Sequence, residues 1–333
     1  MRREAGILAK TANLHLSGWA DAEAGRPPSI AVLVPCYNEV ATIADVVSDF
    51  RRALPHAQVF VYDNNSTDGT AEAARRAGAR VHTAPLRGKG NVIRRMFSDV
   101  DADVYVLVDG DATYEASAAP GLVELLLSDS LDMVAAARVP SNASAYRSGH
   151  QLGNRAFSGL VRRIFGRQFR DMLTGYRVFT RRFVKSFPAH SHGFETETEL
   201  TIHALQMRLP CAEVDVAYGA RPDGSASKLN TIRDGVRILH MIGLLVREER
   251  PLQFFGAIGL LALLASTPLF GRVLLSYAQS GLVPQFPSLI VAVGLAVLGM
   301  LSLFTGLILD GVAKARLEQR RLAYLSFPIA PRT

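Results

Sequence analysis

Asp109-Gly110-Asp111 places two carboxylates two residues apart, directly after Val104-Tyr-Val-Leu-Val108. That apolar, β-branched run reads as a buried strand. The acids then sit at its C-terminal mouth, where open α/β sheets bind their ligands. A close pair of hard oxygen donors suits a divalent cation such as Mg2+, which takes one or two carboxylates and fills its shell with substrate phosphate oxygens. The pattern points to nucleotide-diphosphate chemistry.

Three more clusters precede this pair. Val34-Pro35-Cys36-Tyr37-Asn38-Glu39 closes a first strand, and Pro35, Tyr37, Asn38 and Glu39 are candidate nucleotide contacts over the sheet edge. Asp63-Asn64-Asn65-Ser66-Thr67-Asp68-Gly69-Thr70 closes a second strand. It is either simply a helix start capped by Thr67 or Asp68, or a nucleoside site in which Asp63, ahead of the cap, meets base or ribose, with Asn65 beside it. Arg87-Gly88-Lys89-Gly90-Asn91 opens a helix. Helix N-termini favour anions and glycines allow close approach, so Arg87 and Lys89 read either as phosphate contacts or as a generic basic loop.

The elements that must carry these loops alternate from residue 30 onward. Strands are expected at 29–34, 59–62, 79–83, 104–108, 133–137 and 213–218, and helices near 40–53, 70–77 and 89–98. This order gives an α/β fold with a parallel sheet covered on both faces. Residues 1–29 lack the apolar core of a signal peptide and read as a flexible tail.

Charge and hydropathy divide the chain. Hydrophobic residues make up 49% of 333, and the excess lies after Pro251. No charged residue occurs in 252–271 or in 273–309, whereas a span needs roughly 20 apolar residues. Spans are placed at 252–276 and 286–309, joined by a turn at Gln279-Ser-Gly281 with Pro284 and Pro287. Arg247 and Arg250 before them, and Lys314, Arg316, Arg320 and Arg321 after them, put both flanks and the catalytic part in the cytoplasm. Residues 147–170 hold six arginines and no acid. With the juxtamembrane segment 229–250, they read as basic amphipathic helices at a headgroup layer or as core-packed helices with a basic face. The net charge of +7 favours anionic partners, but nucleic acid is set aside for want of zinc-ligand or basic-aromatic patterns. Cys36 and Cys211 form no disulfide framework.

Taken in order, Val-Pro-Cys-Tyr-Asn-Glu, Asp-Asn-Asn-Ser-Thr-Asp-Gly-Thr, Arg-Gly-Lys-Gly and Asp-Gly-Asp resemble family 2 glycosyltransferases of the GT-A fold. Asp171-Met-Leu-Thr174-Gly175-Tyr176-Arg177 and Arg221-Pro-Asp-Gly-Ser225-Ala-Ser227-Lys228 are similar to acceptor-side motifs of the polyprenyl-phosphate hexosyltransferases. That branch includes the dolichyl-phosphate mannose synthases and bacterial undecaprenyl-phosphate glucosyltransferases. The resemblance covers about residues 30–250 and implies a GT-A domain at 30–228, a juxtamembrane helix at 229–250, two spans within 251–310 and a basic cytoplasmic tail at 311–333.

It also implies inverting transfer of a sugar from a UDP- or GDP-sugar to a polyprenyl phosphate in the lipid bilayer, with homo-oligomer formation left open. Asp109 and Asp111 would hold Mg2+ or Mn2+, with Gly110 between them at the nucleotide. Asp63 would contact the nucleoside and Arg138 a donor or acceptor phosphate. Thr174, Arg177, Arg221, Ser225, Ser227 and Lys228 would serve the acceptor phosphate or sugar. Thr113 stands where some mannose synthases carry glutamine, which weakens transfer of their donor specificity.

In Gly193-Phe-Glu195-Thr-Glu197-Thr-Glu199-Leu200, alternating acids could stabilise a helix N-terminus, or Glu197 could accept from sugar hydroxyls. No essential base is expected, because an acceptor phosphate is already anionic at neutral pH. A processive synthase would normally show Gln-x-x-Arg-Trp, yet Trp19 is the only tryptophan. Transfer to another membrane lipid, or an inert sugar-nucleotide-binding membrane scaffold, remain the competing readings.

Overall fold

The computed structural model describes residues 26–140, 169–189, 196–219, 243, 247 and 250–330. The arginine-rich segment 147–168, most of the juxtamembrane segment 229–250, Glu195, and Arg221, Ser225, Ser227 and Lys228 lie outside the described residues. Contacts divide the chain into two compact units, Met1–Lys228 with Arg320–Thr333, and Leu229–Gln319.

The first unit is a seven-stranded sheet of order β3-β2-β1-β4-β6-β5-β7. Its strands are β1 (Ile30–Cys36), β2 (Gln58–Asp63), β3 (Arg80–Thr83), β4 (Val104–Leu107), β5 (Met133–Pro140), β6 (Arg177–Thr180) and β7 (Cys211–Tyr218). β1 pairs in parallel with β2 and β4, β2 with β3, and β5 with β7. Among the described strands only β6 runs antiparallel, between β4 and β5. At four residues, opening on an arginine, it carries too little apolar pattern to be read as a strand.

Helices α1 (Ile43–Ala53), α2 (Thr70–Arg76), α3 (Lys89–Asp99), α4 (Ala119–Ser128), α5 (Arg181–Ser186) and α6 (Thr196–Met207) connect or flank the strands. α1 shows why the alternation was legible: Ile43, Val46, Val47 and Phe50 are its buried residues, the i, i+3, i+4, i+7 stripe of a helix packed on a sheet. α2 departs from expectation at its start. Gly69 is its N-cap residue, while Asp68, one position earlier, accepts from the Thr70 amide at 3.0 Å. The expected tail is also shorter at its end, because Arg26 and Ser29 are tied to the nearly buried Asp103.

The second unit holds α7 (Pro251–Ser280) and most of α8 (Phe286–Leu325). Both are long and apolar enough to cross a membrane. They meet where a Cβ on Gly259 would stand 2.7 Å from the Gly299 carbonyl oxygen, so only glycine permits that approach. Helix α8 continues past the apolar stretch, and its end belongs to the first unit. There Tyr324 donates to Asp132 (2.8 Å), Arg320 donates to Gln206 (2.9 Å), and the Arg182 guanidinium lies over the Tyr324 ring at 4.7 Å. The expected basic tail is therefore a docked helix end. The reason is Asp132, fully buried and satisfied by Thr180, Arg182 and Tyr324.

His203 of α6 is buried edge-on against Phe183 and Phe187, with Nε2 3.0 Å from Ser186 Oγ. Burial, with a smaller push from the Arg320 charge, lowers its pKa to about 3. The unfolded chain, with histidine near 6.5, then binds more protons between these values, so folding stability falls as pH drops from about 6.5 toward about 3. Replacing the titrating ring by His203→Leu should flatten that slope by up to ~1.4 kcal/mol per pH unit, as measured by denaturant unfolding across the range.

Candidate functional site

The loops after β1, β2 and β4 converge at the C-terminal edge of the parallel strands. Each contains a residue in the left-handed backbone region: Asn38 (φ 51°), Asn65 (φ 64°) and Ala112 (φ 56°). Asparagine tolerates this geometry, whereas alanine resists it by roughly 1–2 kcal/mol. Side chains stitch the first two loops together. Asn38 Oδ1 accepts from the Thr67 amide (2.9 Å), and Thr70 Oγ1 accepts from the Glu39 amide (2.8 Å). Tyr37 is exposed, but Pro35 is buried inside β1 opposite Tyr62. The strand runs two residues further than its apolar run suggests.

Asp63 closes β2 and is buried. Its Oδ2 accepts from the Ser66 amide at 3.2 Å, and its Oδ1 has no hydrogen-bond partner. Such an oxygen is costly unless a ligand donates to it. Asn64, which the sequence did not single out, proves to be the pin of the next loop. It donates to the carbonyls of Ala84 (2.9 Å) and Leu86 (2.7 Å) and accepts from the Gly88 amide (2.8 Å). Asn65 also reaches Ala84 and Pro85. Arg87 is exposed on this loop.

Lys89, the first residue of α3, turns inward. Its Nζ lies 2.5 Å from Asp109 Oδ1 and 2.5 Å from Glu197 Oε1. Burial disfavours its charge, but the two carboxylates outweigh that and hold its pKa well above the ordinary lysine value. The second oxygen of Glu197 is buried without a hydrogen-bond partner. Asp111 is buried too, and its Oδ1 accepts from the Thr113 hydroxyl (2.6 Å) and amide (3.3 Å). Gly110, buried between the two acids, accepts from Thr42 through its carbonyl at 2.7 Å. Among the described residues, no group of three or more His, Cys, Asp or Glu could enclose a metal ion. A carboxylate pair alone fits a hard cation that completes its shell with diphosphate oxygens and water.

The Asp171–Arg177 motif supports this centre from behind. A Cβ on Gly175 would collide with Asp109 Oδ2 and stand 2.8 Å from its Cγ, so the missing side chain is the space the carboxylate occupies. Thr174 is buried, with its hydroxyl donating to the Ala136 carbonyl (2.6 Å). Arg177 is also fully buried. The polar atoms of both side chains are bonded within the protein interior. Arg138, at the end of β5, forms a two-point pair with Asp171 (2.7 and 2.8 Å), and its guanidinium lies 5.6 Å from the Tyr218 ring centroid. Burial works against the Asp171 charge, but Arg138 overrides it and holds that carboxyl below its usual range.

Comparison with known proteins bears on this arrangement. Residues 31–187 match the model of the "Glycosyl transferase family 2" family. Glycosyltransferase AglJ of Haloferax volcanii is 36% identical over 234 residues, covering 70% of this chain and 77% of the relative. The dolichyl-phosphate hexose transferase of the same organism is 28% identical over 221 residues, covering 66% and 95%. Glucosyl-3-phosphoglycerate synthase from Mycobacterium tuberculosis, solved with Mn2+, UDP-glucose and phosphoglyceric acid, superposes with a TM-score of 0.55. It is 25% identical, and the match covers 66% of this chain and 79% of that one. With its GT-A sheet, its ordered loops and these relatives, the chain belongs to glycosyltransferase family 2.

Proposed function

We propose that this glycosyltransferase moves a sugar, with inversion, from a nucleoside diphosphate to a membrane polyprenyl phosphate. The observation that carries the reading is the Asp109–Asp111 pair beside Lys89, in a chain that also has two helices of membrane-crossing length. The similarity to a dolichyl-phosphate hexose transferase supports the acceptor class.

In this reading Asp63 receives donors from the nucleoside through its unpartnered oxygen, and Asn64 holds the Ala84–Gly88 loop around the diphosphate. Mg2+ or Mn2+ held by Asp109 and Asp111 would neutralise charge on the leaving nucleoside diphosphate. The structural relative solved with Mn2+ and a UDP-sugar supports a divalent cation. Glu197 accepts from a sugar hydroxyl, and Arg138, oriented by Asp171, serves a phosphate. An acceptor phosphate oxygen attacks the anomeric carbon while the bond to the diphosphate oxygen breaks, and its electron pair leaves with the diphosphate. The attacking oxygen is already ionised, so no protein group has to remove a proton.

Metal dependence is the first test. Chelation with EDTA should abolish transfer, Mg2+ or Mn2+ should restore it, and Asp111→Asn should lose most activity while staying folded and membrane-bound. Full activity in chelator removes the carboxylate pair from the reaction.

The basic flanks of the two spans give both termini and the catalytic unit a cytoplasmic location. A cysteine at Ser280→Cys should react with an impermeant reagent added to intact cells, and one at Gln319→Cys should not. The reverse pattern would place the donor site on the wrong side for a cytosolic sugar nucleotide.

The acceptor is tested at Arg221 and Lys228, which flank a Gly-Ser-Ala-Ser sequence shortly before the first span. Arg221→Ala or Lys228→Ala should weaken polyprenyl-phosphate use by about ten- to a hundredfold, the loss of one charge-assisted contact of roughly 1.5–3 kcal/mol. Donor affinity, measured on the same purified variants, should hardly change. Selective loss of donor binding instead would assign these residues to the diphosphate, and transfer to a different lipid with no response to polyprenyl phosphate would overturn the acceptor class.

A further inference from the structure

Arg177 is the largest fully buried side chain of the described residues, and besides a contact of Nη1 with Met133 Sδ at 3.6 Å in β5 its three nitrogens join two segments of the site. Nε donates to the Thr174 carbonyl (3.0 Å) and Nη2 to the Met172 carbonyl (2.7 Å). Nη1 donates to Thr201 Oγ1 (2.8 Å) in the middle of α6. Thr201 Oγ1 in turn donates to the Glu197 carbonyl at 3.1 Å. One side of the guanidinium thus fixes the loop whose Gly175 bounds the Asp109 carboxylate. The other side fixes the first turn of the helix that presents Glu197. Both carboxylates end on the same Lys89 ammonium.

We infer that Arg177 is a positioning residue that sets the spacing of Asp109, Lys89 and Glu197, rather than a ligand of the acceptor. The residue gives up solvation for this task, and burial lowers its pKa against the opposing charges of Glu197 and Asp171. A rigid fork with donors in several directions is what bridging two segments requires. Lysine, a single point charge on a flexible stem, cannot make all three bonds. The inference deepens the site reading given above, but its test needs neither a donor nor an acceptor, so the two can fail separately.

The readout is the reactivity of Lys89 itself. The full chain in detergent is treated with an acetylating N-hydroxysuccinimide ester, and acetylation of Lys89 is followed by mass spectrometry, with Lys314 as the exposed reference. In the unaltered protein Lys89 should react slowly, since its side chain is only 12% exposed. Arg177→Met should raise its rate about tenfold or more, the effect of losing one charged hydrogen bond from the local opening equilibrium. Arg177→Lys should not restore protection. Arg182→Met, which breaks the Asp132 pair away from the triad, should lower the melting temperature yet leave Lys89 protected. If Arg177→Met does not fold, Thr201→Val replaces it, with an expected rise of about fivefold for a neutral bond. Unchanged protection in the Arg177 or Thr201 variant that folds, or equal loss in Arg182→Met, would show that Arg177 serves general stability alone and overturn the inference.

Discussion

The centre of this protein depends on one buried cation. Lys89 Nζ touches two carboxylates that lie 88 positions apart in the sequence, Asp109 and Glu197. Neither Asp109 nor Glu197 could stand so near the other without it, because like charges in a poorly solvated site repel strongly. Removing one partner of such an arrangement costs about 3–5 kcal/mol, chiefly because an uncompensated charge remains. The triad still carries one excess negative charge, and Asp111 adds another nearby. The site is thus arranged to welcome further positive charge, such as that of a divalent cation.

That constraint propagates outward through residues that never face the ligand. Gly175 has to lack a side chain so that Asp109 can occupy its place. Tyr114 donates no bond to that glycine but accepts from its amide at 3.0 Å, and burial pushes the phenol's pKa upward so that it stays protonated. Thr113 fixes Asp111, and its own carbonyl accepts from the Gly219 amide at 2.9 Å. Asp111 is therefore held by a short chain of hydrogen bonds that ends beside β7, and Asp109 by the Lys89 bond and the close wall of Gly175. Pre-arranged groups of this kind do not have to reorganise when charge develops on the leaving group.

The sequence made visible those features whose cause is local. Asp109 and Asp111 follow a strand with an unmistakable apolar run, and the strands before them alternate with helices whose buried stripe is periodic. What escaped was set by distant partners. Asn64 and Asn65 are chemically identical neighbours, and only the path of the 84–88 loop decides that the first is the buried pin. Lys89 sits in a basic loop, and nothing in that loop announces its pairing with Glu197, 108 positions on. Arg177 reads as an acceptor cation only through the resemblance of the Asp171–Arg177 motif to acceptor-side motifs. Its burial follows from β6, an antiparallel strand too short to announce itself.

The same logic explains the far end of the chain. Asp132 lies at the start of β5 and is fully buried, a placement that requires partners for both oxygens. Oδ1 takes Thr180 at 2.8 Å and Arg182, and Oδ2 takes Arg182 at 3.0 Å and Tyr324 at 2.8 Å. Tyr324 belongs to the last turns of α8, beyond its apolar stretch, so Asp132 is satisfied by a residue 192 positions further along the chain. The basic residues there mark the flank of the second span, and their charge gives no sign of a docked helix end. Arg320 instead donates to Gln206, on the same helix α6 that presents Glu197 at its other end. The helix that supplies the site is thereby held at its first turn by Lys89, in its middle by Arg177 and near its last turn by the C-terminal segment. A site built on a helix fixed at three points can keep two carboxylates and a lysine in register, which a helix held by apolar packing alone would leave free to slide.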